Sequence, residues 1–336
     1  MTSRAVLLAV AAVTAAGALA ACSHATPSTL DRPTYTRELK KLAERVSGAA
    51  VAIVVTPEGT WKGAAGWADS NAKRQADPDD RFAIESTTKT FVATVVLQLV
   101  SEGRLNLHDT VQQWLPGLFP ARPRITIREL LNHSSGIPSD YGISEAPLVR
   151  VKRIAAQRCC LFPPGTSSAY SNSDFVLLGL IVEKVTGRPL DQVVTNRIIR
   201  RLHLRGTSYG TERAQRMTPW LGPVESFGRP VSGDGGIIST VEDVATFFRA
   251  LLGGNLVAPK QLAEMTGTIA SDRSDLRYGL GIMRYRLPCG FAWGHGGLAS
   301  YQVDVEVARD GSKAVVWAVN NPAPSDWSFG DRLYCA

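Results

Sequence analysis

Strand-like segments stand at both ends of this chain of 336 residues, and helix-like segments fill its middle. Residues 50–55 and 60–67 read as two strands joined at Pro57-Glu58-Gly59, a hairpin signal. Strand character returns only late, over 278–285, 292–294, 301–308 and 314–319. From 105 to about 208 the pattern is helical and punctuated by proline, with helices expected over 110–115, 126–132, 175–186 and 190–202. A further amphipathic helix over 37–47 carries Leu39, Leu42 and Val46 on one side, and helices over 241–252 and 259–266 precede the late strands. The expected fold class is α/β (α+β): one antiparallel sheet built from both ends of the chain and flanked by helices, with an inserted all-helical lobe. Residues 36–104 and 209–336 form the sheet lobe and 105–208 the helical one, with a site expected at the seam between them.

One helix carries a chemical signal. Ser86-Thr87-Thr88-Lys89 opens an apolar run, Phe91 to Val100, that stops at Gly103. At a helix start Ser86 and Lys89 are i and i+3, so an amine rises beside a hydroxyl that is otherwise a poor nucleophile. The helix terminus adds unpaired N–H groups to the same place. A second Ser-x-x-Lys, Ser70-Asn71-Ala72-Lys73, lies in the polar stretch 69–80 and reads as a loop with nothing to bury its amine. Context, rather than the four-residue pattern, separates the two.

The N-terminus reads as an export signal. Arg4 gives a short positive region, residues 5–18 are apolar or small except for Thr14, and Leu19-Ala20-Ala21-Cys22 resembles a bacterial lipobox. That resemblance implies a signal peptide over 1–21, diacylglycerol on Cys22, and a Ser/Thr/Pro tether over 22–35. The expected location is the outer face of the bacterial cell membrane, in the cell envelope. With 44% hydrophobic and 20% charged residues, the chain can bury a large core. Its charge of +7 comes partly from Arg150, Lys152, Arg153, Arg158 and from Arg197, Arg200, Arg201, Arg205. These lie at helical spacings without interleaved aromatics, which reads as solvated helix faces and argues against nucleic-acid binding.

Beyond Cys22, four cysteines remain, Cys159, Cys160, Cys289 and Cys335, an even number suited to an oxidising compartment. Three pairings are open. The strained ring between adjacent cysteines argues against Cys159–Cys160, and a Cys289–Cys335 bridge would tie the final segment to a strand. No spacing resembles a zinc site, and no metal or cofactor is expected.

A Ser/Lys pair needs a proton relay and a substrate anchor. Tyr170-Ser171-Asn172 offers a phenol, useful as a shuttle if the positive charge of Lys89 lowers its pKa, and an amide that both donates and accepts. His295-Gly296-Gly297 offers paired glycines that let a strand edge approach substrate. In this order the three elements resemble the serine penicillin-recognising enzymes, in the branch of DD-carboxypeptidases and class C-like β-lactamases. Glu102 to Leu105, Ile125 to Gly136, Asp234 to Thr240 and Tyr278 to Gly281 are similar to that family as well, so the likeness spans 36–336. The resemblance implies that Ser86 is acylated, that Lys89 and Tyr170 share the general-base role, and that Asn172 holds the substrate amide. It further implies that His295 tunes Tyr170, that the backbone N–H groups of Ser86 and Leu298 form an oxyanion hole, and that Cys289 pairs with Cys335.

Carboxypeptidases of this branch grip a free carboxylate with hydroxyls near the third element and a nearby arginine. Here Gly296 and Leu298 replace the hydroxyl residues, Met283 stands in place of the arginine beside Arg284, and the turn 298–301 is one residue short. The expected activity is D-Ala-D-Ala carboxypeptidase on peptidoglycan stem peptides. An esterase or class C-like β-lactamase on the same site, and a non-catalytic wall-binding lipoprotein, are the alternatives.

Overall fold

The computed structural model describes residues 30–118, 124–142, 145–156, 160–210, 231–271, 275–321 and 327–336. The export signal, Cys22, Cys159 and Arg158 lie outside these residues. Among the described residues, ten strands form one antiparallel sheet. From edge to edge the order is Arg74–Gln75, Gly59–Asp69, Ala49–Thr56, Ala314–Val319, Gln302–Val307, Gly290–Gly294, Met283–Leu287, Leu276–Tyr278 and Ile269–Ala270. The short strand Gly297–Leu298 pairs beside Gln302–Val307. First and last strands therefore meet in the middle, with Ala50 opposite Val319 and Val55 opposite Ala314. Ala49–Thr56 and Ala314–Val319 are almost wholly buried because both faces of the sheet are covered.

One face receives the helix Arg32–Val46 and the C-terminal helix Ser328–Tyr334, which enclose Tyr35, Leu39, Leu42, Trp61, Trp317 and Phe329. The other face carries the larger core, including Phe91, Phe175, Phe247 and Val305, into which Thr88–Ser101 is sunk. The first helix starts within the stretch expected to be tether: Asp31 accepts the Thr34 N–H at 3.1 Å and Pro33 sits in the first turn. Cys289, in the turn after Met283–Leu287, is disulfide-bonded to Cys335 at the end of the last helix. Cys160 is also disulfide-bonded. No described helix is long and apolar enough to cross a membrane.

Two local readings change. The stretch 278–285 is not one strand, because the chain turns at Gly279–Ile282, where the Gly279 N–H donates to Ile282 O at 2.7 Å. Gly281 has φ +73°, and a Cβ there would collide with the Ala93 methyl on the Ser86 helix. Its carbonyl accepts from Thr90 Oγ1 and its N–H donates to Leu131 O, both at 2.8 Å. Arg150 is the other change: far from lying on a solvated face, it is 1% exposed and pairs with Asp234 and Asp140. A helix of mixed charge conceals that role, because only tertiary contact brings Asp234 to it.

Gly281→Ala is expected to destabilise the fold by roughly 2–4 kcal/mol, combining a strained φ with overpacking. Urea unfolding measures it, and a loss under 1 kcal/mol would refute the tight approach to Ala93.

Candidate active site

Ser86 sits in a single tight turn, Glu85–Thr87, that leads straight into Thr88–Ser101. The residue before it, Glu85, has φ +48°, a conformation that a non-glycine adopts only under constraint. The constraint is visible: Ile84 N–H donates to Ile237 O, Thr87 N–H donates to Ile84 O, and Ser300 N–H donates to the Glu85 carboxylate. Thr87 Oγ1 then donates to His295 O at 3.2 Å, so the third element touches the nucleophile's turn.

Lys89 is completely buried. Its Nζ donates to Ser86 Oγ at 2.9 Å, to Asn172 Oδ1 at 2.8 Å and to Asp234 O at 3.3 Å, which uses its three protons. Burial lowers its pKa from 10.5 to about 8, an effect that Asp234 opposes and Arg150 reinforces. Arg150 holds the Asp234 carboxylate with two hydrogen bonds, at 3.0 and 2.9 Å. Although burial alone would raise the Asp234 pKa, Arg150 and Lys89 outweigh it and keep the group ionised.

Asn172 begins the helix Asn172–Thr186 with its oxygen committed to Lys89, leaving its NH₂ for another acceptor. Lys89 Nζ lies 4.9 Å from the centre of the Tyr170 ring. Burial pushes the Tyr170 phenol above its ordinary pKa, and the hydrogen bond with Ser86 only partly offsets this. The expected lowering of the phenol by Lys89 is therefore not what the fold produces. In the free protein Tyr170 keeps its proton, and Lys89 is the group whose pKa suits a base.

His295 is buried and turned toward other partners. Nδ1 donates to Gly296 O at 2.6 Å, so Nε2 accepts from the Tyr278 hydroxyl at 2.8 Å. Burial, reinforced by Lys89, holds its pKa down at about 3, and the ring is neutral. Its centroid is 6.3 Å from that of Tyr170, the residue that the resemblance implied it tunes, and its Nε2 hydrogen bond goes to Tyr278. The glycines after it are sterically required. A Cβ on Gly297 would lie 2.6 Å from Ile84 O and 3.2 Å from Ser86 N, and one on Gly296 would press into the Trp327 ring at 2.8 Å. Leu298 follows at the cavity rim, 52% exposed.

These residues open on one cavity of about 590 Å³, lined by Ser86, Tyr170 and Asn172 on one side and by Gly296, Leu298, Tyr278, Tyr285 and Trp327 on the other. Met283 lines it too, whereas Arg284 lies over Phe291, 4.6 Å from that ring's centre. The arginine displaced by one residue thus follows strand alternation to the opposite face. Ser70 and Lys73 occupy an exposed turn organised by the Asp69 carboxylate. Sequence reasoning missed the Arg150–Asp234 pair and the partner of His295. Tyr278 and His133 did lie inside stretches singled out for family likeness, which was the only signal pointing to them.

The beta-lactamase family model matches residues 35–333. The chain belongs to the beta-lactamase family. A D-stereospecific amidohydrolase from a Streptomyces species is similar in structure, with a TM-score of 0.78 and 32% identity over 90% of this chain and 98% of that one. A penicillin-binding protein from Bacillus halodurans shares the fold, with a TM-score of 0.74 at 22% identity over 88% and 97% of the two chains. Protein flp of Staphylococcus aureus is 29% identical over 207 residues, which is 59% of this chain and 40% of the staphylococcal one. The matched region thus spans less than half of that relative.

Only neutral Lys89 can accept the Ser86 proton, so kcat/KM is expected to rise with pH and level off above an inflection near 8. Between pH 7 and 9 the neutral fraction grows ~10-fold for a pKa of that size. Initial rates across pH check this, and a flat profile would remove Lys89 as the base. Lys89→Gln is expected to lower kcat by at least ~100-fold at every pH.

Proposed function

We propose that this chain is a D-stereospecific serine amidohydrolase that forms an acyl-enzyme on Ser86 and cleaves an amide or peptide bond beside a D-residue. The observation that carries it is the buried Lys89 ammonium shared between Ser86 Oγ and Asn172 Oδ1, with the Tyr170 phenol against it. Similarity to the Streptomyces amidohydrolase supports the choice of D-amide. The cavity supports it too. Gly296, Leu298 and Met283 offer no hydroxyl or guanidinium, and the described lining carries Asp275, Asp304 and Asp331 against a single arginine, Arg286. Such a wall favours substrates without a free carboxylate next to the scissile bond.

In the proposed cycle neutral Lys89 takes the Ser86 proton as Oγ bonds to the carbonyl carbon. The oxyanion rests on the backbone N–H groups of Ser86 and Leu298, each donor worth ~100- to 1000-fold in rate. Tyr170 passes its proton to the leaving nitrogen and regains one from Lys89, the C–N bond breaks, and water later cleaves the Ser86 ester. His295 acts from behind, fixing Tyr278 in the cavity wall.

The test is ammonia release from D- and L-phenylalaninamide beside D-alanine release from a peptide ending in D-Ala-D-Ala. Ammonia from the D-amide alone, abolished in Ser86→Ala, is the expected result. D-alanine release without amide turnover would select the D-Ala-D-Ala carboxypeptidase of wall stem peptides, a reading that the export pattern favours. Turnover of only short acyl esters or a cephalosporin would select the esterase or β-lactamase. Binding with no turnover by either form would leave a non-catalytic wall lipoprotein.

The run from Arg4 to Cys22 supports export and lipid anchoring through Cys22 at the membrane's outer face. Labelled palmitate is expected in the membrane-bound protein and absent from Cys22→Ala. Label persisting in that variant would refute the anchor.

A further inference from the structure

His133 is held at φ +61° just beyond the helix Ile127–Leu131, itself started by a capping box between Thr126 and Glu129. From there it grips the Tyr170 segment at two points. Its carbonyl accepts the Ala169 N–H at 3.0 Å, and its Nδ1 accepts the Ser171 N–H at 3.3 Å. The backbone on both sides of Tyr170 is thus tied to one residue. The imidazole also packs on the phenol, with ring centres 4.4 Å apart, and on Tyr278 at 4.6 Å.

Hydrogen-bond accounting then assigns the protons. A nitrogen that accepts a backbone N–H carries no hydrogen of its own. Asp174 Oδ2 lies 2.9 Å from the same Nδ1, so a contact there requires the proton to belong to Asp174. Asp174 Oδ1 accepts from Ser135 Oγ at 2.5 Å, and Ser135 in turn accepts the Ile137 N–H. The imidazole hydrogen is left on Nε2, which is buried, has no hydrogen-bond partner among the described residues, and belongs to a side chain lining the cavity.

We propose that His133, held by a neutral Asp174, is the positioning residue for Tyr170, clamping the phenol from behind while its Nε2–H stays buried and unpaired among the described residues. This rests on the reading of Ser86 and Tyr170 as the acyl-transfer pair. Burial works in the same direction, raising Asp174 well above the usual carboxylate range and lowering His133 well below the usual imidazole range. The charged and titratable groups around the imidazole are Lys89, His295, Asp174, Tyr170 and Tyr278. Lys89 and His295 disfavour a second proton on it, and the two tyrosines keep theirs. A carboxylate taking a hydrogen from Nδ1, the arrangement common beside catalytic histidines, would strand the Ser171 N–H instead.

Two arms test this separately. Nitrogen NMR of the unmodified protein is expected to show His133 as the Nε2–H tautomer, unchanged from pH 5 to 9. Protonated Nδ1, or a titration in that range, would overturn the assignment whatever the substrate. In the second arm Asp174→Asn donates to Nδ1 and accepts from Ser135 as the neutral acid does, so kcat is expected within ~3-fold of the parent. His133→Phe keeps the ring but neither nitrogen, and is expected to lower kcat by ~100-fold with KM within ~3-fold. A folded Asp174→Asn protein with a 100-fold loss, or a fully active His133→Phe protein, would refute the proposal. A parent inactive on every substrate would instead refute the amidohydrolase reading and leave the tautomer result standing.

Discussion

A lysine ammonium with no exposure to water sits where two halves of this molecule meet, and the surrounding structure is organised to keep it there. Its three protons go to a serine hydroxyl, an asparagine oxygen and a backbone carbonyl, drawn from three separate parts of the chain. The negative charge that acts on it most strongly, Asp234, is itself buried and clasped by Arg150. Removing one member of such a buried set typically costs ~3–5 kcal/mol, because it leaves a charge without compensation. Desolvation does not expel the ammonium but makes it a weaker acid-holder, with a pKa near that of a useful base. Burial and catalysis are thus one physical fact seen from two sides.

Crowding of backbone around the nucleophile follows from the same requirement. Gly297 lies against Ile84 O and Ser86 N, Gly281 against Ala93, and Gly233 against Phe175 O. Each contact admits no Cβ, and each presses a strand or loop onto the two helices that carry Ser86, Lys89 and Asn172. The left-handed Glu85 and His133 are non-glycine residues held in place by hydrogen bonds to the same surroundings. Two left-handed non-glycine residues thus stand at the turn before Ser86 and at the loop behind the phenol.

Much of this was legible in the residues. Periodicity and apolar runs located the helices Val241–Leu252 and Pro259–Thr266 and the strand Ala314–Val319 at their observed bounds, because each helix buries one face and the strand, covered on both faces, is a short unbroken apolar run. The break at Gly279–Ile282 was not legible, since a glycine inside a strand-like run shows its turn only when Ala93 and Leu131 are in view. Arg150 was misread for a related reason: of its two carboxylate partners, Asp234 lies 84 residues away. His295 stood in the right place beside the wrong partner, as a buried imidazole takes whichever donors its neighbours provide.

Taken alone, the amino-acid order determined that strands from the two termini must share a sheet, that a serine and a lysine rise from one helix turn, and that a phenol, an amide and paired glycines are available to join them. Local periodicity and short-range spacing suffice for that. Protonation states, by contrast, were decided by the tertiary structure alone. Whether Lys89 is weakened, Tyr170 strengthened as a proton holder, His295 kept neutral or Asp174 left carrying a proton depends on solvent exclusion and on groups tens to hundreds of residues distant. Those influences have no counterpart along the chain, because desolvation and Coulomb forces act through space.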